Sequence, residues 1–499
     1  MPVPRDAMYV LPDRELAMVA ALRDWKRLAK IAVVAAVVFI GARGLGWALV
    51  RRQHAEMQAS VRQLVSELGG HYYYDFQLSA QGDEPLADDD NVHSHPHWLS
   101  KFLGKDFMHD VFYVSLARFQ EYREDGAVAA EQSGVDDSHI VKIARLPGLR
   151  WLAAPGTAIS DEGVKAVARV PKLEKLWLSQ TVISDKALAY LSSCPYLMHL
   201  SVEGTPTTDT GLREIAKMSK LEVLSLSSPH ISAVGLTQLS TLSKLKELYL
   251  DRLPVDERSL AAIARLDQLQ VVSLRLTPVT DAGVALLGRL PNLTRLLLDG
   301  TGVSDNALAA VNWPKLTELS VRGTRLTDAG LQRLASCKRL QSIKLDGTAC
   351  TLAGLHRLLV DQQSRDWETA LSMSFDTAYD EHKRVISLDL TGFRVRDACI
   401  PYVAQLTELQ WLVMPDSDLT DEGVQALVDA KLDKLTLLNI NRSEVSDASL
   451  RRLTELKSLR NLHVAATAIT ADAISEIGKS SPSLRIYTSD LGKTSLRPQ

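Results

Sequence analysis

Three histidines at alternate positions are the residues whose types and spacing could support chemistry in this chain. His93, His95 and His97 follow a run of aspartates in "DDDNVHSHPHW", residues 88–98. Because alternate side chains of an extended segment point to the same side, the three imidazoles could converge on one zinc ion and form a metal-dependent enzyme or a metal-binding protein. Pro96 disfavours a regular strand, and the surrounding segment 79–98 is polar. We therefore interpret the segment as a solvated loop and keep the metal site as the alternative.

Other signatures of catalysis or nucleic-acid binding are not found in the sequence. No P-loop, GxSxG, HExxH or GxGxxG motif occurs in a suitable context. The net charge is −3, and no block of Lys and Arg occurs outside the N-terminal region, which argues against nucleic acid as a partner. Four cysteines lie far apart and form no metal-ligand spacing. Cys194 and Cys337 occupy the same slot of a 24-residue repeat, between a helix and the next strand, so we expect them to be small buried residues. These observations predict no enzymatic activity and no cofactor.

One apolar run could place the chain in a membrane. Residues 28–50 read "LAKIAVVAAVVFIGARGLGWALV", which is long enough to span a bilayer as a helix, although Lys30 and Arg43 interrupt it. A cleaved signal peptide fits less well, because about 27 residues precede the run and no A-x-A site follows it. A buried helix is the remaining alternative. Basic residues before the run favour a cytoplasmic N-terminus and an extracytoplasmic remainder.

The strongest signal is an internal repeat of 24 residues. "TAISDEGV" begins at 157, "TVISDKAL" at 181 and "TPVTDAGV" at 277, and fourteen such copies cover about 133–488. Each copy follows L-x-x-L-x-L, whose alternating leucines predict a short strand with one apolar face. The Ser or Thr of "SD" or "TD" predicts a helix N-cap, and the Asp lies at the positive end of the helix dipole. We assign these recurring pairs to structure rather than to catalysis.

A strand–helix unit of this length cannot bury its leucines alone, so we expect the units to stack. The repeats resemble leucine-rich repeats, closest to the ribonuclease-inhibitor-like and cysteine-containing subclasses, in which "TDxGL" opens the outer helix. The resemblance implies an α/β solenoid of about fourteen repeats, with a curved parallel sheet inside and helices outside. Together, the anchor, the "LGG" helix end at 68–70 and the repeats resemble membrane-anchored leucine-rich-repeat proteins of planctomycete bacteria. Most members of that group have no assigned activity, so this resemblance implies organisation and location only.

The repeats also predict the organisation of the chain. We expect a tail at 1–27, the transmembrane helix at 28–50, and a juxtamembrane helix with an α+β cap at 51–132. Two sub-arrays of repeats follow at 133–360 and 385–488, separated by an insertion at 361–384, and the chain ends in a tail at 489–499. The insertion is either a structural joint between the sub-arrays or a binding loop.

The repeat frame indicates where a protein partner would bind. The residues between the leucines of L-x-x-L-x-L point away from the core and form the concave face of the sheet. Aromatic and arginine side chains on such a face are typical of interface hot spots. The candidate residues are Trp151, Trp177, His199, Tyr249, Arg275, Arg295, Glu318, Arg322, Lys344 and Trp411.

The sequence thus predicts a non-enzymatic scaffold that binds an unidentified protein. A substrate adaptor of a ubiquitin ligase is a further alternative suggested by the repeat subclass. It is disfavoured, because no F-box-like segment is found and an apolar run precedes the repeats.

Overall fold

The computed structural model of the protein describes residues 47–74, 110–116, 134–309, 313–363 and 365–489. The chain forms two compact units. The first consists of Met1–Ser115 with Arg145–Leu149, and the second of Leu116–Ala144 with Arg150–Gln499.

In the first unit, a helix over 47–67 packs beside a pair of antiparallel strands. Strands β1 (His71–Tyr74) and β2 (Val111–Ser115) pair with Tyr73 opposite Tyr113, and the two rings stack with their centroids 5.5 Å apart. The helix is tied to β2 because Gln58 Oε1 accepts the backbone N–H of Val111 at 2.6 Å. These strands fall within the α+β cap predicted at 51–132, and much of the rest of that segment lies outside the described residues.

The predicted membrane helix overlaps the described residues only at 47–50, which are helical. Within the described ranges, no helix combines the length and the apolar character that a membrane span needs.

The second unit is built from short strands, nearly all parallel, that recur at the repeat spacing. Nine of them, β3–β11, pair in parallel in chain order. A further six, β12–β17, form a second sheet in which only the β12–β13 pair is antiparallel. The strands are β3 Trp151–Ala153, β4 Lys175–Trp177, β5 His199–Glu203, β6 Val223–Ser227, β7 Glu247–Tyr249, β8 Val271–Ser273, β9 Arg295–Leu297, β10 Glu318–Ser320, β11 Ser342–Lys344, β12 Asp376–Tyr379, β13 Val385–Asp389, β14 Trp411–Val413, β15 Leu437–Asn439, β16 Asn461–His463 and β17 Arg485–Tyr487.

Short helices follow the strands, as the repeat predicts. The α-helices are Asp137–Ile143, Asp161–Val167, Asp185–Leu191, Asp209–Ile215, Ala233–Leu236, Glu257–Ile263, Asp281–Leu287, Asp328–Arg333, Leu352–His356, Trp367–Ser372, Ile400–Val403, Asp421–Asp429, Asp447–Leu453 and Ala471–Ser480. Short 3₁₀ segments cover Thr237–Thr241, Asp305–Leu308, Leu334–Ser336 and Asp397–Cys399, and Arg357–Gln362 is a π-helix.

The core consists of leucine columns that run through the stacked repeats. Leu152, Leu176 and Leu200 face one another across β3–β5, and each is completely buried. In seven repeats a buried Thr follows the strand, and its hydroxyl donates to a carbonyl three residues earlier, as Thr181 Oγ1 does to Leu178 O at 2.7 Å. Because this bond satisfies the hydroxyl locally, the polar side chain fits inside an apolar column.

The helix caps form as the sequence predicts, but the aspartates do more than the helix dipole requires. Asp185 accepts two hydrogen bonds from Thr208 of the next repeat, from the backbone N–H at 2.8 Å and from the hydroxyl at 2.6 Å. We call each such pair of bonds a rung. In the described residues, rungs are made by Asp137, Asp161, Asp185, Asp209, Asp281, Asp305, Asp328, Asp397, Asp421 and Asp447.

The rungs also explain the small residue of "TDxGL". A Cβ on Gly235 would lie 2.0 Å from Oδ1 of Asp209, so the carboxylate occupies the space that a side chain would need. The slot has some tolerance, because Ala187 fills it while Asp161 still makes its rung to Ser184. The repeat therefore favours Gly, Ala or Ser at this slot because a neighbouring carboxylate borders it.

The insertion at 361–384 holds a helix and a strand that connect the two sheets. The backbone N–H of Ile343 in β11 donates to Met373 O at 2.8 Å, where a further parallel strand would otherwise continue the sheet. Trp367 Nε1 donates to Tyr402 O at 2.9 Å, and both rings pack against His356. The segment thus bonds to repeats on both sides of it.

Candidate protein-binding face

Three rows of side chains form the face of β3–β11 that points away from the leucine core, for which we keep the name concave face. The first row holds the first residue of each strand, in register from Trp151 through Lys175 and His199 to Ser342. The second row lies two residues later and includes Trp177, and the third row lies two residues later again. Because the rows repeat at each strand, neighbouring residues of a row lie about 4.8 Å apart.

The structure places nine of the ten predicted candidates on this face. They are Trp151, His199, Arg295 and Glu318 in the first row, Trp177, Tyr249 and Lys344 in the second, and Arg275 and Arg322 in the third. Trp411 begins β14 and belongs to the corresponding face of the second sheet.

Trp151 is a correction to the sequence-based expectation of an exposed aromatic. Its side chain is only 2% exposed, so it is not a contact residue of an open face. Lys175 Nζ lies 3.9 Å from the centroid of the indole ring, and the indole N–H donates to Glu174 Oε2 at 3.4 Å. The neighbouring repeat therefore covers this tryptophan.

The face is aromatic at its N-terminal end. The rings of Trp177 and His199 lie 4.5 Å apart, and both side chains are half-buried. Burial and the positive charge of Lys175 lower the pKa of His199 to about 4, so its imidazole is neutral at pH 7. Further along the second row, the Tyr249 hydroxyl donates to Glu247 Oε2 at 2.8 Å, and burial and this carboxylate raise the pKa of Tyr249.

The C-terminal end of the face is a set of ion pairs between adjacent repeats. Arg275 pairs with Asp299 at 3.2 Å, Arg295 with Glu318 at 2.7 Å, and Arg322 with Asp346 at 2.7 Å. Each arginine places Nε against the carboxylate one repeat on and keeps its side chain about two-fifths exposed, with values of 39%, 45% and 42%. These guanidinium groups are held in fixed positions on the face.

Serines of the second row connect to acids of the third. Ser273 Oγ donates to Asp251 Oδ1 at 2.5 Å, Ser320 Oγ donates to Asp299 Oδ1, and Ser225 Oγ donates to Glu203 Oε1. Because each bond joins one repeat to the next, the polar surface is as ordered as the sheet beneath it. A preformed surface loses less conformational entropy when it binds a partner.

The second sheet carries a smaller set of polar and aromatic residues. His463 and Tyr487 stack with centroids 4.5 Å apart and planes 10° apart, and Tyr487 Oη contacts Asn461 Oδ1 at 3.4 Å. Burial lowers the pKa of His463, which is 2% exposed. Trp411 is the one predicted candidate on this sheet, and its side chain is half-buried.

The groups that could support catalysis are not assembled in the described residues. His93, His95 and His97 lie outside those residues, and in the ranges that are described no group of three His, Cys, Asp or Glu could hold a metal ion. The four cysteines are free and buried, as expected for Cys194 and Cys337. Burial raises the pKa of Cys194 to about 11, which disfavours the nucleophilic thiolate.

Apart from Glu318, the candidates predicted from the sequence are aromatic or basic residues, and the other acids of the face were missed. Glu203, Glu247 and Asp251 lie in the first and third rows of β5–β7. The 24-residue register could have identified these acids, because each of them occupies the same position in its repeat as one of the predicted candidates does in another repeat. Strand position, rather than residue type, is the feature that identifies these acids.

Comparisons with known proteins agree with the repeat. The family model described as "Leucine Rich repeat" matches residues 314–335. The prediction of leucine-rich repeats is confirmed by this match together with the strand–helix units. A comparison with curated proteins found no match.

Solved structures with a similar fold include three leucine-rich-repeat proteins. An internalin, InlF, from Listeria monocytogenes is 19% identical, and the match covers 72% of this chain and 86% of the internalin with a TM-score of 0.36. A leucine-rich-repeat protein of Leptospira interrogans is 17% identical over 69% of this chain and 80% of its own, with a TM-score of 0.34. The leucine-rich-repeat ectodomain of a plant membrane receptor kinase from Arabidopsis thaliana is 13% identical over 76% of this chain and 50% of its own, with a TM-score of 0.40. At these identities and scores the likeness carries no argument about partners.

Proposed function

We propose that this leucine-rich-repeat chain is a scaffold that binds another protein through the concave face of β3–β11 and performs no catalysis. One observation carries the proposal. Nine strands in register present half-buried aromatic rings at one end and positioned arginines at the other, on a surface fixed by hydrogen bonds between repeats. Such rigid aromatic and arginine anchors dominate binding energy at protein interfaces.

Affinity capture with the full chain tests the proposal. A variant with Trp177→Ala and Tyr249→Ala should lose the proteins that wild type retains from its source cells, because both rings lie on the face. Tyr196→Ala is the matched control, since this tyrosine is 57% exposed but lies between a helix and the next strand. Retention of the same partners by the double variant, with unchanged folding, would overturn the proposal.

For location, we propose a single membrane span at 28–50, with the N-terminus cytoplasmic and the repeats extracytoplasmic. The apolar length of the run and the basic residues before it support this assignment. Alkaline extraction of membranes should leave the full chain in the pellet and release a chain lacking 28–50. Protease added to intact cells should cleave the repeats, and complete protection of the repeats would contradict the orientation.

A further inference from the structure

The concave face of β3–β11 has two halves that differ in how their charges are satisfied. In the three rows of β8–β11, each of the three acids forms an ion pair with an arginine one repeat earlier. In the rows of β4–β7, three acids accompany a single basic residue, Lys175, and His199 is neutral at pH 7. The acidic half of the face is defined here as Glu203, Glu247 and Asp251 with the residues between them.

The acids of this half accept hydrogen bonds from neutral groups only. Glu203 accepts from the Ser225 hydroxyl, and Glu247 accepts from the Tyr249 hydroxyl at 2.8 Å. Asp251 accepts from the Ser273 hydroxyl at 2.5 Å and from a backbone N–H at 2.9 Å. Among the described residues, none of the three carboxylates pairs with a basic side chain. Each also has a second oxygen without a hydrogen bond to described residues, and each side chain is partly exposed.

The geometry of the acidic half suits an extended chain that crosses the strands. Glu203 and Asp251 occupy the same row two strands apart, so their backbones lie about 10 Å apart. The small residues Ser225 and Ser227 lie on the strand between these two acids, and Tyr249 lies beside them on β7. In an extended segment with polyproline II geometry, residues three apart lie about 9 Å apart and point to the same side. Basic side chains at that spacing would reach both carboxylates, and the tyrosine ring offers a cation–π contact.

We infer that the protein partner presents a basic polypeptide segment, with Lys or Arg side chains that pair with Glu203, Glu247 and Asp251 on strands β5–β7. The inference rests on the proposed function and names the chemistry of the segment that the face accepts. Charge complementarity carries it, since the other half of the face already satisfies its own acids. The segment would give each of these carboxylates the cation that the chain does not supply.

A defined peptide provides the test. The probe is a fluorescently labelled peptide amide in which arginines stand three residues apart among glycines, and the control probe has glutamate in place of each arginine. Fluorescence anisotropy with the full chain should show saturable binding of the basic peptide and none of the acidic one. Because each exposed ion pair changes a Kd by about twofold or slightly more, Glu203→Gln with Asp251→Asn should raise the Kd about fivefold. These amides keep an acceptor oxygen for the serine hydroxyls.

The matched control removes the same charge away from the face. Asp433→Asn with Glu444→Gln also removes two negative charges, but these exposed acids flank β15 of the second sheet, more than four strands from β7 and beyond the screening length at physiological salt. This variant should change the Kd less than twofold. If the first double variant fails to fold, Glu247→Gln replaces it, since that side chain accepts only the tyrosine hydroxyl.

Equal weakening in both double variants would overturn the inference, because the peptide would then respond to net charge alone. Absence of saturable binding to wild type, or equal binding of the acidic peptide, would also overturn it. The proposed function has its own separate test. If partners captured through Trp177 and Tyr249 bind the Glu203→Gln, Asp251→Asn chain unchanged, the scaffold function stands and the basic-segment inference fails.

Discussion

Replacement of one rung aspartate should destabilise the array far more than loss of an ordinary helix-terminal acid. Asp185 accepts the Thr208 N–H at 2.8 Å and the Thr208 hydroxyl at 2.6 Å, and both groups are partly buried. Hydrogen bonds to a charged acceptor contribute about 1.5–3 kcal/mol each, and water would recover part of that in the variant. We therefore expect Asp185→Ala to cost about 3 kcal/mol.

Asp472 offers the matched control. It lies in the first turn of the helix Ala471–Ser480 and is exposed, but it makes no rung. Its removal should cost only the helix-dipole contribution, about 0.5 kcal/mol. Asp185→Asn should fall between the two at roughly 1 kcal/mol, because the amide oxygen still accepts the Thr208 N–H while the NH₂ group cannot accept its hydroxyl.

Native-state hydrogen exchange measures the effect at its source. The Thr208 amide is protected in wild type by the carboxylate of another repeat, so its exchange should accelerate in Asp185→Ala and remain unchanged in Asp472→Ala. Urea unfolding followed by circular dichroism should give the same order of stabilities. If the two alanine variants lose equal stability and the Thr208 amide stays protected, the aspartates act through the helix dipole alone and the rung argument is wrong.

Three further perturbations test other parts of the chain. Burial lowers the pKa of His199 in the folded chain to about 4, whereas the unfolded imidazole has a pKa near 6.5. As the pH falls, the unfolded chain therefore binds this proton first, and the folded chain loses stability between pH 6.5 and pH 4. His199→Gln should remove up to about 3 kcal/mol of that pH dependence in urea unfolding, and an unchanged pH profile would exclude this histidine as its source. In thermal melts, Trp367→Phe should cost about 1 kcal/mol of stability because the hydrogen bond to Tyr402 O is lost, and Trp367→Ala should cost about 3–5 kcal/mol. Equal losses would show that packing of the ring does not stabilise the segment between the two sheets. A chelator should leave the melting temperature of the full chain unchanged, and stoichiometric zinc lost from variants at 88–98 would support the metal alternative instead.

The local features of the repeat could be predicted from the sequence, and the contacts between repeats could not. Alternating leucines predict a strand, and a hydroxyl before a helix predicts its N-cap, because in both cases the interacting atoms lie within a few residues of each other. The rung of Asp185 reaches a residue 23 positions later, and a single repeat contains no sign of that acceptor role. From the sequence pattern, the aspartate was therefore assigned to the helix dipole, whose contribution to stability is real but smaller than that of the rung.

The same limit applies to the candidate face. Alternation along a strand decides orientation, so nine of the ten candidates lie in the rows of β3–β11, whereas Trp411 lies on the second sheet. Exposure depends on the neighbouring repeat, and Lys175 covers the Trp151 ring that the pattern left open. Ion pairing also depends on the neighbouring repeat. The arginines could therefore be predicted as candidates, but only the structure shows which acids of the face are paired with them and which are not.

The sheet that carries the concave face does not depend on an unbroken series of rungs, as the repeats without a rung aspartate show. Ala233 replaces the rung aspartate after Ser232, yet β6 and β7 remain paired in parallel register. Leu352 replaces it after Thr351, and there the inserted segment supplies Met373 O to Ile343 in place of the next parallel strand. Loss of a rung therefore does not by itself interrupt the sheet that carries the candidate face. Distant, independent sites contribute additively to stability and binding, so Asp185→Ala should lower the stability of the array and leave the Kd for the basic peptide unchanged.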